Sequence, residues 1–255
     1  MFTWSANRLR TPRQPVHLMF QPLRLACRRI LSALAILVVL PSLACAQTII
    51  SVDFCGQSKD VLGPPDTAGC DAYMAAEWNV IPGNSSDEPV ALKDSSGMVT
   101  EVSLLTFSSH AKPAALRKTS TAYEKLFGAS LSTDKWFPEG VKFTVDGLHR
   151  FATYDLVVYI RCESSGRLAE ITTSAEGSPC YYVTGPRKLR DAQPYKEIRS
   201  LSRDHAEAGD HVIFRGLRDP ELTVKYKAIN GASGVTGFQI IGYEGLAETA
   251  SRSTD

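Results

Sequence analysis

The sequence predicts an all-β fold, an antiparallel β-sandwich with one short helix. Three observations predict it. From Thr48 onward the apolar period is mostly two: Val141, Phe143 and Val145 alternate with Lys142 and Thr144, while Leu222, Val224, Tyr226 and Ala228 alternate with Thr223, Lys225 and Lys227. Clusters of Gly, Pro, Asn, Asp and Ser punctuate these runs at short intervals. No linker splits the stretch from 47 to 247, and a single β-sandwich commonly runs to about 200 residues.

In chain order, the strand candidates are Ile49 to Phe54, Val99 to Phe107, Val141 to Val145, Tyr154 to Cys162, Leu168 to Thr173, Cys180 to Thr184, His211 to Phe214, Leu222 to Ala228 and Gly237 to Tyr243. Trp78 opens one more short apolar strand and has the sequence context of a core residue. A helical face is visible only over Lys112 to Phe127, where Ala114, Leu116, Tyr123, Leu126 and Phe127 recur at helical spacing around the turn-prone Thr119-Ser120-Thr121. The Gly-rich Asn230 to Gly237 reads as a turn ahead of the last strand. A polar tail, 248–255, has a disordered composition.

Residues 1–46 read as a signal peptide. Arg24, Arg28 and Arg29 precede the apolar run Ile30 to Leu40, followed by Pro41 and the small-residue site Ala44-Cys45-Ala46. Met19 as the true start gives a leader of ordinary length. The 11-residue apolar run is well short of the roughly 20 residues that a spanning helix needs, so no stable membrane span is expected after cleavage. Lipid modification of Cys45 and a twin-arginine signal at Arg28-Arg29 are weaker fits. The expected location is periplasmic or extracellular.

Removing the leader changes the charge. All six basic residues of the first 46 are Arg and no acid accompanies them, so of 28 basic residues 22 remain against 27 acidic ones, a net of −5. A net-acidic body without a basic stripe argues against nucleic acid as a partner. Four cysteines also remain, Cys55, Cys70, Cys162 and Cys180. In an exported chain an even number reads as two disulfides with three possible connectivities, the sequence-local one joining Cys55 to Cys70 and Cys162 to Cys180. A four-cysteine zinc site lacks its C-x-x-C spacing.

Signals for chemistry are sparse. His205, Glu207, Asp210 and His211 form the densest set of ligand-type groups, but their spacing fits no zinc frame, and no tight metal site and no cofactor are expected. No G-x-S-x-G elbow exists, none of His110, His149, His205 and His211 neighbours an activated Ser or Cys in sequence, and oxidised cysteines would supply no thiol nucleophile. No catalytic residue stands out. Sugar rings pack their C–H faces on exposed aromatics, which makes Trp136, in the turn-like Ser132 to Pro138, and Tyr181 and Tyr182 the candidate binding residues. The two tyrosines must point to opposite faces of a strand.

The order of motifs adds a resemblance. Val52-Asp53-Phe54 with Gly56, Trp78-Asn79, Leu92 to Gly97 leading to Thr100, Leu148 with Tyr154 to Tyr159, Asp210 to Phe214, and Gly237 to Ile241 resemble exported galactose-binding-like jelly-roll modules of planctomycete-type bacteria. Many of those modules carry a PEP-CTERM sorting tail, whose Pro-Glu-Pro, apolar helix and basic end are not found here. The resemblance implies a noncatalytic binding module, with carbohydrate at the cell envelope or outside the cell as the expected ligand. Two alternatives stay open: a structural or protein-interaction role in the envelope, with another envelope protein as partner, and a secreted glycan-cleaving enzyme whose paired carboxylates the sequence does not single out.

Overall fold

The computed structural model describes residues 47–56, 61–82, 88–107, 111–113, 121–133, 140–162, 166–185, 195–231 and 233–245. The expected signal peptide at 1–46, the polar tail 248–255 and Trp136 lie outside them.

The strands in chain order are β1 (Gln47–Phe54), β2 (Asn79–Ile81), β3 (Val90–Lys93), β4 (Val99–Thr106), β5 (Ala111–Pro113), β6 (Ala129–Thr133), β7 (Val141–Asp146), β8 (Thr153–Cys162), β9 (Leu168–Thr173), β10 (Tyr181–Thr184), β11 (Glu207–Ala208), β12 (His211–Leu217), β13 (Leu222–Asn230) and β14 (Ser233–Tyr243). The one α-helix among the described residues, α1, is Ala122–Leu126 and lies between β5 and β6. Two sheets result. The first runs β12-β8-β14-β1-β2, with β6 also on β14 and β5 on β6; the second runs β11-β10-β9-β13-β7-β4-β3. The chain is an all-β sandwich. Its pairing is antiparallel except for β1 with β2 and β10 with β11, so both sheets are mixed where a purely antiparallel arrangement was expected.

Strand alternation builds two cores. Ile50, Val52 and Phe54 of β1, Leu156, Val158 and Ile160 of β8, and Phe238 and Ile240 of β14 point between the sheets. There they meet Phe143, Val224 and Tyr226 of the second sheet. Phe143 and Phe238 stack with centroids 4.8 Å apart, and Phe54 meets Phe143 edge-on at 5.7 Å. The alternate residues of the first sheet, Val157, Tyr159, Ile213 and Ile241, belong to a second cluster with Leu62, Ala68, Cys70, Trp78, Leu126 and Phe127. The segments 61–78 and α1 therefore roof the outer face of this sheet, burying it on both sides.

The one short helix expected within Lys112 to Phe127 is α1, one turn and a half long, and one neighbouring expectation is corrected. Thr121 caps α1: its hydroxyl accepts from the Glu124 amide, whose carboxylate in turn accepts from the Thr121 amide. Residues 111–113 are strand instead. Thr121→Ala is expected to lower stability by about 1 kcal/mol, read as a shifted denaturant midpoint with an unchanged slope. The Gly-rich Asn230 to Gly237 is also largely strand, because β14 begins at Ser233. A Cβ on Gly234 would lie 2.5 Å from the Leu131 carbonyl oxygen, and one on Gly237 2.4 Å from that of Val52. These glycines admit neighbouring backbone and do not mark a turn. Among the described residues no helix is long and apolar enough to cross a membrane.

Candidate functional site

The candidate binding tyrosines separate across the second sheet. Tyr181 packs against the main core, its ring edge-on to Phe214 at 5.1 Å and its hydroxyl donating to the Ile213 carbonyl at 2.9 Å. Tyr182 takes the opposite face, opposite Glu170 of β9, with its backbone amide on the Ser200 carbonyl. The two rings therefore do not form one platform.

Where the sheets meet at β2 and β3, the surface holds a groove of about 290 Å³. It is lined by the apolar Trp78, Val80, Ile81 and Val90 and by the polar Glu77, Asn79, Lys93 and Asp94. Asn79 ties this edge together. Its amide nitrogen donates to the carbonyls of Ser51 and Lys93, and its Oδ1 accepts from the Lys93 amide at 2.8 Å. Asp94 Oδ1 accepts from the Ser96 hydroxyl at 2.6 Å and from the amides of Ser96 and Met98, which shapes the β3–β4 turn and holds its carboxyl below the usual range. These bonds tie β1, β2 and β3 together beside the groove, and Lys93 and Glu77 are among its lining residues.

The second cluster holds an unusual set of buried polar groups. His211 opens β12 with its ring turned to the roof, and its Nδ1 lies 2.8 Å from Asp210 Oδ1. The other carboxylate oxygen accepts from the Tyr123 hydroxyl at 3.1 Å. Burial alone would depress the imidazole, but hydrogen bonding to Asp210 and to the Cys70 side chain outweighs it and pushes the pKa up to about 9. Around Cys70 the backbone is held by tyrosines: the Cys70 amide donates to Tyr159 Oη at 2.9 Å and the Gly69 amide to Tyr195 Oη at 3.3 Å. Tyr159 in turn donates to Gln239 Oε1, and Gln239 Nε2 bonds Ser51 Oγ and the Tyr73 carbonyl. Asp53 is on the same face, 1% exposed, with neither carboxylate oxygen in a hydrogen bond of standard geometry. Desolvation raises its pKa to about 7, eased only slightly by the Leu62 backbone.

His205 and Glu207, grouped with this pair in sequence, point elsewhere. The His205 ring is exposed beside Ser202 Oγ, and Glu207 accepts from the Arg199 amide. Among the described residues no three metal-ligating side chains converge.

All four cysteines are free thiols, which corrects the two expected disulfides. Cys55 follows β1 and faces the Ile81 carbonyl of β2, whereas Cys70 lies against Tyr159 of β8 and His211 of β12; β14 separates these strands. Cys162 lies in the main core beside the Tyr226 hydroxyl, while Cys180 precedes β10 beside Tyr182. The proximity of Cys70 to His211 was invisible in the sequence because the two sit on distant segments. The Asp210-His211 pair at a strand start was its only local trace.

The fold and its edge groove define an all-β sandwich with an open surface site. Comparison with protein-family models, with curated proteins and with solved structures finds no match, so no family is assigned.

Proposed function

We propose that this chain is an exported, noncatalytic binding module for carbohydrate, and that it takes its ligand in the groove beside Trp78. One observation carries the reading: a groove whose lining combines an aromatic and aliphatic side chains with an ammonium-bearing lysine and carboxylates. A sugar uses that combination, with its C–H face on the apolar residues and its hydroxyls bonded to the charged ones. The leader-like segment before Gln47 and the motif order shared with galactose-binding-like modules support it. The groove is preferred to Tyr181, which is spent on the core; Tyr182 stays a candidate contact on the second sheet, and Trp136 lies outside the described residues.

The test is a glycan array on the exported protein, followed by titration of any hit against Lys93→Ala and Glu77→Gln. Each change is expected to weaken binding about tenfold while leaving thermal stability within about 0.5 kcal/mol, because both residues line the groove and neither belongs to the buried core. A hit that survives both changes but is lost with Tyr182→Ala moves the site to the second sheet. The absence of any glycan hit, or cleavage of one, rejects the module reading.

A further inference from the structure

We infer, resting on the carbohydrate reading of the Trp78 groove, that this groove is one half of a longer cleft astride the β3–β4 hairpin, and that the cleft takes a neutral glycan chain of several units. A second hollow, of about 500 Å³, is lined by Val99, Thr100 and Glu101 of β4 with Arg150 and Glu244. Lys93, which lines the Trp78 groove, is the cross-strand partner of Val99, which lines the second hollow. Opposed residues of an antiparallel pair project to one face from strands about 4.8 Å apart, so the two hollows adjoin at this strand pair. Met98 and Val99 beside the junction are 67% and 66% exposed, and Val90 of the Trp78 groove is 38% exposed. Apolar side chains left open as a group mark a contact surface, and here they offer a seat for the C–H faces of rings that pass from one hollow to the other.

Backbone bonds hold the two halves in place. The Asp94 amide donates to the Met98 carbonyl at 2.9 Å, and the Ser95 amide donates to the Ile49 carbonyl of β1 at 2.8 Å, which fixes the end of the hairpin to the first sheet. On the other side, Gly147 (φ 81°) lets the turn before Arg150 close on β4, where a Cβ would lie 2.4 Å from the Glu101 carbonyl oxygen. The Ala152 amide on the Tyr243 carbonyl at 3.0 Å brings Glu244 to the same end of the sandwich.

Charge selects the class of chain. Across the two hollows Glu77, Asp94, Glu101 and Glu244 stand against Lys93 and Arg150, four carboxylates to two cations. An acidic polymer, such as a polyuronate, would be repelled along its length, whereas a neutral chain finds donors and acceptors for its hydroxyls in both halves.

The experiment titrates the full chain, as exported, with neutral oligomers of glucose, galactose, mannose and N-acetylglucosamine in short (two-unit) and long (six-unit) forms, and with a galacturonate oligomer of the long size. The long form of the bound sugar is expected to bind at least about tenfold tighter than its short form, and the galacturonate at least about tenfold weaker than that neutral chain. Arg150→Ala and Val99→Ser should each bring the long form down toward the affinity of the short one and leave the short one unchanged, whereas Lys93→Ala weakens both. Should Arg150→Ala disturb the fold, its guanidinium lying over the Phe151 ring at 5.3 Å, Glu101→Gln decides in its place. Equal binding of the two lengths, a loss with Arg150→Ala and Glu101→Gln that is absent or the same at both lengths, or a preference for galacturonate overturns the extended cleft; Lys93-dependent binding of the short form then still keeps the Trp78 groove as a sugar site. Binding of no oligomer at all overturns both.

Discussion

Replacing Trp78 with alanine is expected to destabilise the protein by about 3 to 5 kcal/mol, the usual range for emptying the space of a buried Trp. Only 8% of the residue is exposed; its ring faces Tyr159 at 6.1 Å and its indole N–H donates to the Ala75 carbonyl at 3.0 Å. The loss therefore combines a cavity in the roof with a freed carbonyl in segment 61–78. Equilibrium unfolding in urea would show a lower midpoint. An unchanged midpoint would mean that the roof adds nothing to the sheet beneath it. Trp78→Phe, which retains a ring, should recover more than half of the loss.

The second large effect is a fall of stability with rising pH. Asp53 keeps its proton up to about pH 7 in the folded chain, whereas the unfolded chain releases it near the ordinary aspartate value of 3.8. Between those values the unfolded state has fewer protons bound. Stability contributed by the neutral acid is thus complete below about pH 4 and lost as pH climbs to 7, a decline of roughly 4 kcal/mol at 1.4 kcal/mol per unit. His211 acts in the same direction at higher pH: its bound proton favours the fold below 6.5, and that advantage is lost as pH rises through about 9. Asp66, Asp94 and Glu197 have the opposite sign, since their partners lower them and acid removes their contribution. Stability should therefore peak on the mildly acid side of neutrality. Asp53→Asn should equal wild type near pH 4 and exceed it by about 2 to 4 kcal/mol at pH 8. Melting curves across that range would show the crossover, and a wild-type profile flat between pH 4 and 7 would remove Asp53 as its cause.

The strands of the main core were legible because each one buries one face against the other sheet, leaving a clear period of two. Leu168–Thr173 matches the expected bounds, and Val141–Asp146 runs one residue longer. Strands β3, β5, β6 and β11 escaped notice: they are two to five residues long and sit at edges or beside the roof, where alternation has no length in which to appear. The roof escaped as well. Asp53, Tyr159, His211 and Gln239 occupy outward positions of their strands, which in a two-layer sandwich would meet water, so their polarity read as surface. The groove depends on β2 and β3 coming together from separate sheets, a juxtaposition that no local pattern encodes. The cysteine count pointed to bridges because parity carries no information on where a chain puts its thiols.

The short outer strands have a consequence for crowding at high concentration. An open sheet edge is a template on which another copy can add a strand and begin to polymerise. Here β2 and β11 offer three and two residues, too few for a lasting ribbon. The longer edges are blunted differently: the Lys93 amide of β3 is taken by the Asn79 side chain, and the start of β12 is closed by the amide of Ile198 on the His211 carbonyl. Stacking of one molecule on the next by backbone pairing is thereby limited at these four strands. Copies gathered densely on a surface would stay individual particles, each keeping its flank free for whatever lodges there.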